Sequence, residues 1–162
     1  MAAGSTYEPI ATQTLGSAAA SVTFSSISGA YTDLILVANL KKASGTISNL
    51  ALTINSDTGS NYSYTRLIGD GTTASSARAS SVTDCNGGYI TTNWATTIIN
   101  FMNYSNTTTY KTSLVRTNND RVAAVVNLWR STAAITTIKL EEVVTGDIAT
   151  GSTFTLYGIL KA

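Results

Sequence analysis

Apolar residues recur at every second position along most of this chain, the period of a β-strand with one face buried. "SVTFSSI" places Val22, Phe24 and Ile27 among hydroxyls, and "NLALTIN" alternates Leu50, Leu52 and Ile54 with Ala51, Thr53 and Asn55. "NYSYTRLI" sets Tyr62, Tyr64, Arg66 and Ile68 on one side, whereas "DLILVANL" is a continuous apolar run expected of a strand covered on both faces. "TTIINFMNY", "YKTSLVRT", "RVAAVVNLWRS", "ITTIKLEEV" and "STFTLYGIL" continue the pattern. Turn signals rich in Gly, Asn, Asp and Ser separate these runs, among them "KASGT", "NSDTGSN", "IGDGTT", "RTNND" and "TGDIATGS". Such spacing predicts an all-β chain of about 8–10 strands in a two-sheet sandwich. "RVAAVVNLW" alone admits a helical period, and its valines and the Asn-rich turn before it favour a strand.

Three stretches raise particular expectations. Residues 1–9 are predicted to form an N-terminal arm that orders on docking, ahead of a single sandwich domain over 10–162, with Pro9 at the start of the first strand. Residues 68–89, "IGDGTTASSARASSVTDCNGGY", lack apolar periodicity and form either an exposed binding loop or a hidden strand such as "ARASSVT". In the closing "GSTFTLYGILKA", Phe154, Leu156 and, past a step at Tyr157–Gly158, Ile159 are expected to face inward, with Gly158 marking a bulge or a close backbone approach.

Composition narrows the function. Only 12% of the 162 residues are charged, against about 25% in a typical soluble protein, so the polar surface consists of Ser, Thr, Asn and Gly. Ten basic and nine acidic residues leave a net charge of +1 with no basic cluster, which argues against nucleic-acid binding. The start shows no basic and apolar leader and no run approaches about 20 apolar residues, so a chain made in a cytoplasm and not inserted in a membrane is expected.

The absence of histidine excludes Ser-His-Asp and Cys-His nucleophiles and His-containing zinc sites. Cys85, the single cysteine, reads as a small buried hydrophobe or an inert loop thiol. Most acidic residues lie in turns, and Glu141 and Glu142, adjacent in a strand, point to opposite faces and cannot form a catalytic dyad. "NSDTGSN" imitates part of a calcium loop but lacks the closing glutamate, so a hairpin turn is the better reading. No enzyme, cofactor or metal is expected. The residues with interface character are Tyr62, Tyr64, Arg66, Trp94, Tyr104, Tyr110, Trp129 and Arg130. Aromatics set among Asn, Ser and Thr serve cross-strand packing, a subunit interface or glycan stacking. An Arg inside a strand of so neutral a chain should meet a carboxylate, an aromatic face or carbonyls of a neighbouring chain.

"YEPIATQTLGSAAASVTFSSISGAYTDLILVANL", "SNYSYTRLIGDGTTASSARAS", "TTIINFMNYSNTTTYKTSLVR", "VVNLWRSTAAITTIKL" and the closing "GSTFTLYGILKA" together resemble modules of tailed-bacteriophage virion proteins, notably of cyanophages and other marine phages. The resemblance implies a virion location and a jelly-roll or related sandwich that assembles as a homotrimer. It carries no catalytic motif. Such modules also occur at the tips of tail fibres, but here the module starts within about ten residues of Met1 with no shaft ahead of it. The expectation is therefore a capsid decoration (cement) protein bound to the major capsid protein. The alternative is a tail-fibre or receptor-binding module that meets tail proteins and a host glycan.

Overall fold

The computed structural model describes residues 6–118, 120–144 and 146–160. Twelve strands form and, among the described residues, no helix: β1 (Tyr7–Thr14), β2 (Ser21–Phe24), β3 (Asp33–Leu40), β4 (Ser48–Ile54), β5 (Tyr62–Gly69), β6 (Ala74–Val82), β7 (Cys85–Ile90), β8 (Ala95–Met102), β9 (Lys111–Asn118), β10 (Val122–Trp129), β11 (Ile138–Glu142) and β12 (Thr153–Ile159). The chain is an all-β sandwich, and "RVAAVVNLW" is a strand. The strands beyond the expected ten are β6, inside residues 68–89, and β7, which runs one residue past that stretch. "ARASSVT" falls mostly in β6, so the hidden-strand alternative holds. Periodicity failed there because β6 is exposed along almost all its length, while every residue of β7 is buried.

All pairing is antiparallel, in one eight-stranded sheet of order β1-β12-β3-β8-β9-β10-β5-β6 and one four-stranded sheet of order β2-β11-β4-β7. The quartets β1-β12-β3-β8 and β2-β11-β4-β7, between which the chain crosses at every step except β4 to β7, have the strand order of a jelly roll. Two hairpins, β5–β6 and β9–β10, are inserted into that path and both widen the first sheet.

The core lies between the sheets. Leu34, Leu36, Ala38 and Leu40 of β3 face Leu50, Leu52 and Ile54 of β4, with Ile99, Phe101, Val115, Val125, Leu140, Phe154 and Leu156 filling the remainder. Each large aliphatic side chain buried here contributes about 1.5–3 kcal/mol. β1 begins at Tyr7, which pairs with Ile159, so Tyr7–Pro9 of the expected arm belong to the sheet, and residues 1–5 lie outside the described residues. The register of β12 against β3 runs unbroken from Thr153 to Ile159. Gly158 therefore stays on the inner face and Ile159 turns outward, contrary to the expected step. The close approach is real: a Cβ on Gly158 would stand 2.3 Å from the Tyr31 ring, which occupies the place of an inward side chain.

The crossover from β3 to β4 is held by a buried charge cluster. Lys42 Nζ lies 3.3 Å from Glu142 Oε1, with both side chains at most 1% exposed. Lys42 also donates to Ser48 Oγ, and Ser48 donates to the Glu142 carboxylate, which accepts the Val144 N–H as well. The cluster ties the loop after β3 to the start of β4 and the end of β11. The opposite end of β4 has a second anchor. Asp57 accepts bonds from Trp129 Nε1 at 2.7 Å, from Asn61 Nδ2 and from Gly59 N–H. Trp129 stacks on Tyr62 with centroids 6.4 Å apart, and the Tyr62 hydroxyl donates to the Asp57 carbonyl. The indole bond chiefly holds the Asp57 carboxyl below its ordinary value of 3.8.

Two outcomes are expected. Glu142→Gln leaves the Lys42 ammonium buried without its counter-charge and costs about 3–5 kcal/mol in urea unfolding, whereas a Lys42→Met/Glu142→Leu double variant recovers most of that loss. Trp129→Phe removes the indole donor while keeping the ring stack. A native carboxyl pKa below the unfolded value gives stability that is present above about pH 4 and lost as pH falls through the native pKa. Unfolding of wild type and Trp129→Phe should thus differ by about 1–3 kcal/mol at pH 7 and by less at pH 2.5.

Candidate interaction surface

The alternation that fills the core also builds the opposite face of the eight-stranded sheet. Reading across the strands in register, one row of that face runs Thr12, Thr155, Val37, Ile98, Arg116, Ala124, Leu67 and Ser76. The next contains Tyr157, Ile35, Asn100, Leu114, Val126, Thr65 and Arg78. Apolar side chains thus occupy the middle of the face and threonines much of its margin. Leu67, Val122 and Val126 are each more than half exposed. Ile35 and Val37 are half-buried and open to this side, so "DLILVANL" is not covered on its second face by any described part of the chain.

Charge is sparse on this surface. Arg116 stands near its centre, its Nη2 donating to Asn100 Oδ1 at 3.1 Å. Asp33 lies at one end, accepting the Asn103 N–H, and Arg78 lies on the β6 edge. Shallow grooves of about 430 and 330 Å³ flank Val122 and Ala124, lined by Ile98 and Arg116 on one side and by Leu67 and Ala74 on the other.

The residues singled out from the sequence are not gathered in one patch. Tyr62, Tyr104 and Trp129 are buried and belong to the core, because each hydroxyl or indole finds a partner inside: Tyr104 donates to the Ser28 carbonyl, Tyr62 to Asp57 and Trp129 to the Asp57 carboxylate. Burial pushes the Tyr62 and Tyr104 hydroxyls up. Arg130 donates to the carbonyls of Ser60 and Tyr62, so the carbonyls it meets are those of its own chain. Trp94 and Tyr110 are half exposed, in the loops before β8 and β9, with the Lys41 ammonium 5.1 Å from the Trp94 ring. Tyr64 and Arg66 lie on the inner face of β5, the guanidinium 5.9 Å from the Tyr64 ring centroid.

The outer sheet face was missed by sequence reasoning, although a signal existed. "RVAAVVNLW" places valines at both parities, more apolar side chains than one buried face requires.

Most of the acidic residues have side-chain or backbone partners within the chain, and the thiol is buried. Asp70 accepts the backbone N–H groups and hydroxyls of Thr72 and Thr73, which hold its carboxyl far below the ordinary value. Asp84 is raised, chiefly by desolvation. Glu141 pairs with Lys139 at 2.6 Å, and Asp120 accepts from Asn93. Cys85 is buried, and desolvation, then the nearby Asp84 charge, push its thiol up. Desolvation lowers the Lys111 ammonium, which donates to the carbonyls of Thr109 and Thr132. Among the described residues no three His, Cys, Asp or Glu side chains are grouped to hold a metal ion.

No protein-family model matches the chain, and no curated protein matches it. Among solved structures it is similar to a mutant of the alginate lyase Aly36B in complex with alginate tetrasaccharide, at 7% identity and a TM-score of 0.31 over 82% of this chain and 72% of that one. A likeness so slight bears on neither architecture nor activity.

Proposed function

We propose that this protein is a non-enzymatic structural subunit of a tailed-phage particle, a decoration protein that binds the shell exterior as a homotrimer. The observation that carries the reading is the open outer face of the eight-stranded sheet, apolar in the middle and rich in hydroxyls at its margin. Eight strands about 4.8 Å apart, with about six residues each at 3.3 Å, give a surface of roughly 700–800 Å². That is close to the share of one partner in a standard interface of about 1,600 Å². Uncharged hydroxyls tolerate burial against a partner where carboxylates and ammonium groups do not. In this reading Ile98, Leu114 and Val126 seat on the shell and the threonines form the rim. The resemblance to virion modules supplies the particle. The half-exposed Trp94 beside Lys41 favours the second reading, a tail-fibre or receptor-binding module for a host glycan.

The test is to add the purified protein to capsids lacking it and locate it by cryo-electron microscopy. Three-fold density at local symmetry axes of the shell is the expected result, and density confined to the tail would overturn decoration. Val126→Glu places a charge on a side chain already exposed, so the melting temperature should change little while shell occupancy falls at least about tenfold.

A further inference from the structure

A second feature lies on the other side of the large sheet, where β5 passes beyond the edge of the small one. A cleft of about 390 Å³ opens there, walled by Ser48, Asn49, Arg66, Tyr89 and Arg121. Two guanidinium groups converge on it. Arg66 Cζ stands 5.7 Å and Arg121 Cζ 5.4 Å from the centroid of the Tyr89 ring, which orders both heads against one buried aromatic side chain. Arg66 forms no ion pair with a described carboxylate; its Nη1 reaches Asn49 Oδ1 only at the long distance of 3.5 Å, and its Nε is buried without an acceptor. The carboxylate bonded to Ser48, that of Glu142, is already neutralised by Lys42. In a chain of net charge +1, the Arg66 guanidinium is thus a partly buried cation that no described carboxylate pairs.

A planar guanidinium with spare N–H groups suits a carboxylate, sulfate or phosphate, which accepts two parallel bonds. The volume is more than a bare inorganic ion requires and lies within the roughly 300–1,000 Å³ of small-ligand pockets. The Ser48 hydroxyl in the lining is taken up by Lys42 and Glu142, and the Asn49 amide beside it suits a neutral oxygen function. We propose that this cleft binds the oxyanion group of a small polyhydroxylated ligand, such as an acidic sugar, with Arg66 as the principal donor. The site is independent of the outer sheet face, so it stands or falls separately from the shell-binding reading.

The experiment is titration of the ¹⁵N-labelled protein with D-glucuronate, D-glucose and sodium sulfate, followed by amide shifts. D-Glucuronate should shift Asn49, Arg66 and Tyr89 saturably, with sulfate competing weakly and D-glucose leaving them unmoved. Arg66→Gln should weaken D-glucuronate binding at least about tenfold, and Arg66→Lys, which keeps charge but loses the fork, by an intermediate factor. No saturable shift with either anion, shifts centred elsewhere, or unaltered binding by a folded Arg66→Gln would overturn the proposal. Sulfate binding as tightly as D-glucuronate would overturn the polyhydroxylated ligand and leave a plain anion site. Should Arg66→Gln fail to fold, the mapping on the wild-type chain decides the matter.

Discussion

Four strands cannot cover eight. The widths of the two sheets differ because both inserted hairpins join the same sheet, and much of the rest of the molecule answers that mismatch. Where the quartets oppose each other the interior is apolar, aliphatic side chains interleaved with Phe24, Phe101 and Phe154. Beyond them, β7 is the last strand of the small sheet, and it serves β9 and β10, which lie outside the jelly-roll core. It does so by approaching closely. A Cβ on Gly88 would lie 3.3 Å from Thr117 Cβ, so the backbone of β7 itself packs on the large sheet.

Close approach exposes backbone polar groups to a region without water, where each unmet group costs about 1–3 kcal/mol. Asn127 meets this demand: its Oδ1 accepts the Asn86 N–H, and its Nδ2 donates to the Asn86 carbonyl and to Ser113 Oγ. Farther along β9, past Val115, Thr97 donates to the Thr117 hydroxyl. These polar contacts flank the buried Val115 and Val125 at the sheet junction. Further out, past the edge of β7, even that cover ends. There β5 carries Tyr64 and Arg66 in place of core aliphatics, and β6 carries alanine and serine.

That geometry also explains what was legible in the sequence. Wherever two sheets face each other, as at Leu34–Leu40 or Leu50–Ile54, burial imposes a period of two and the strands could be read directly. Where the sheet runs uncovered, the constraint disappears. β6 has no reason to alternate, and β7, buried along its whole length, demands glycine at 87 and 88, where a Cβ would meet Leu140 and Thr117, and so breaks the apolar pattern. Tyr62, Tyr104 and Trp129 drew attention as interface aromatics because composition does not distinguish a core hydroxyl or indole with an internal acceptor from an exposed one. Tyr89 went unnoticed because its partners Arg66 and Arg121 are 23 and 32 residues away in the chain. The path that joins them is topological, and no local pattern encodes it.

The open faces and the edges of the large sheet are treated differently, and the difference has a consequence for association. An edge strand invites uncontrolled pairing through its free N–H and C=O groups. β1 has Pro9, which lacks an N–H, and an irregularity between Pro9 and Ala11. β6 has Arg78 at its centre and a register shift where Tyr62 pairs with Val82 and Ser63 with Ser80. Both edges are thereby poor templates for another strand. The outer face carries no comparable protection, since Leu67, Val122 and Val126 stand exposed with Arg116 as the one charge near its middle. A surface that needed only solubility would place charges there at little cost, as exposed positions of a strand accept Lys and Glu readily. Blunted edges beside an undefended face disfavour backbone pairing and leave side-chain packing across the sheet as the open mode of contact, which is what the proposed shell-binding role requires.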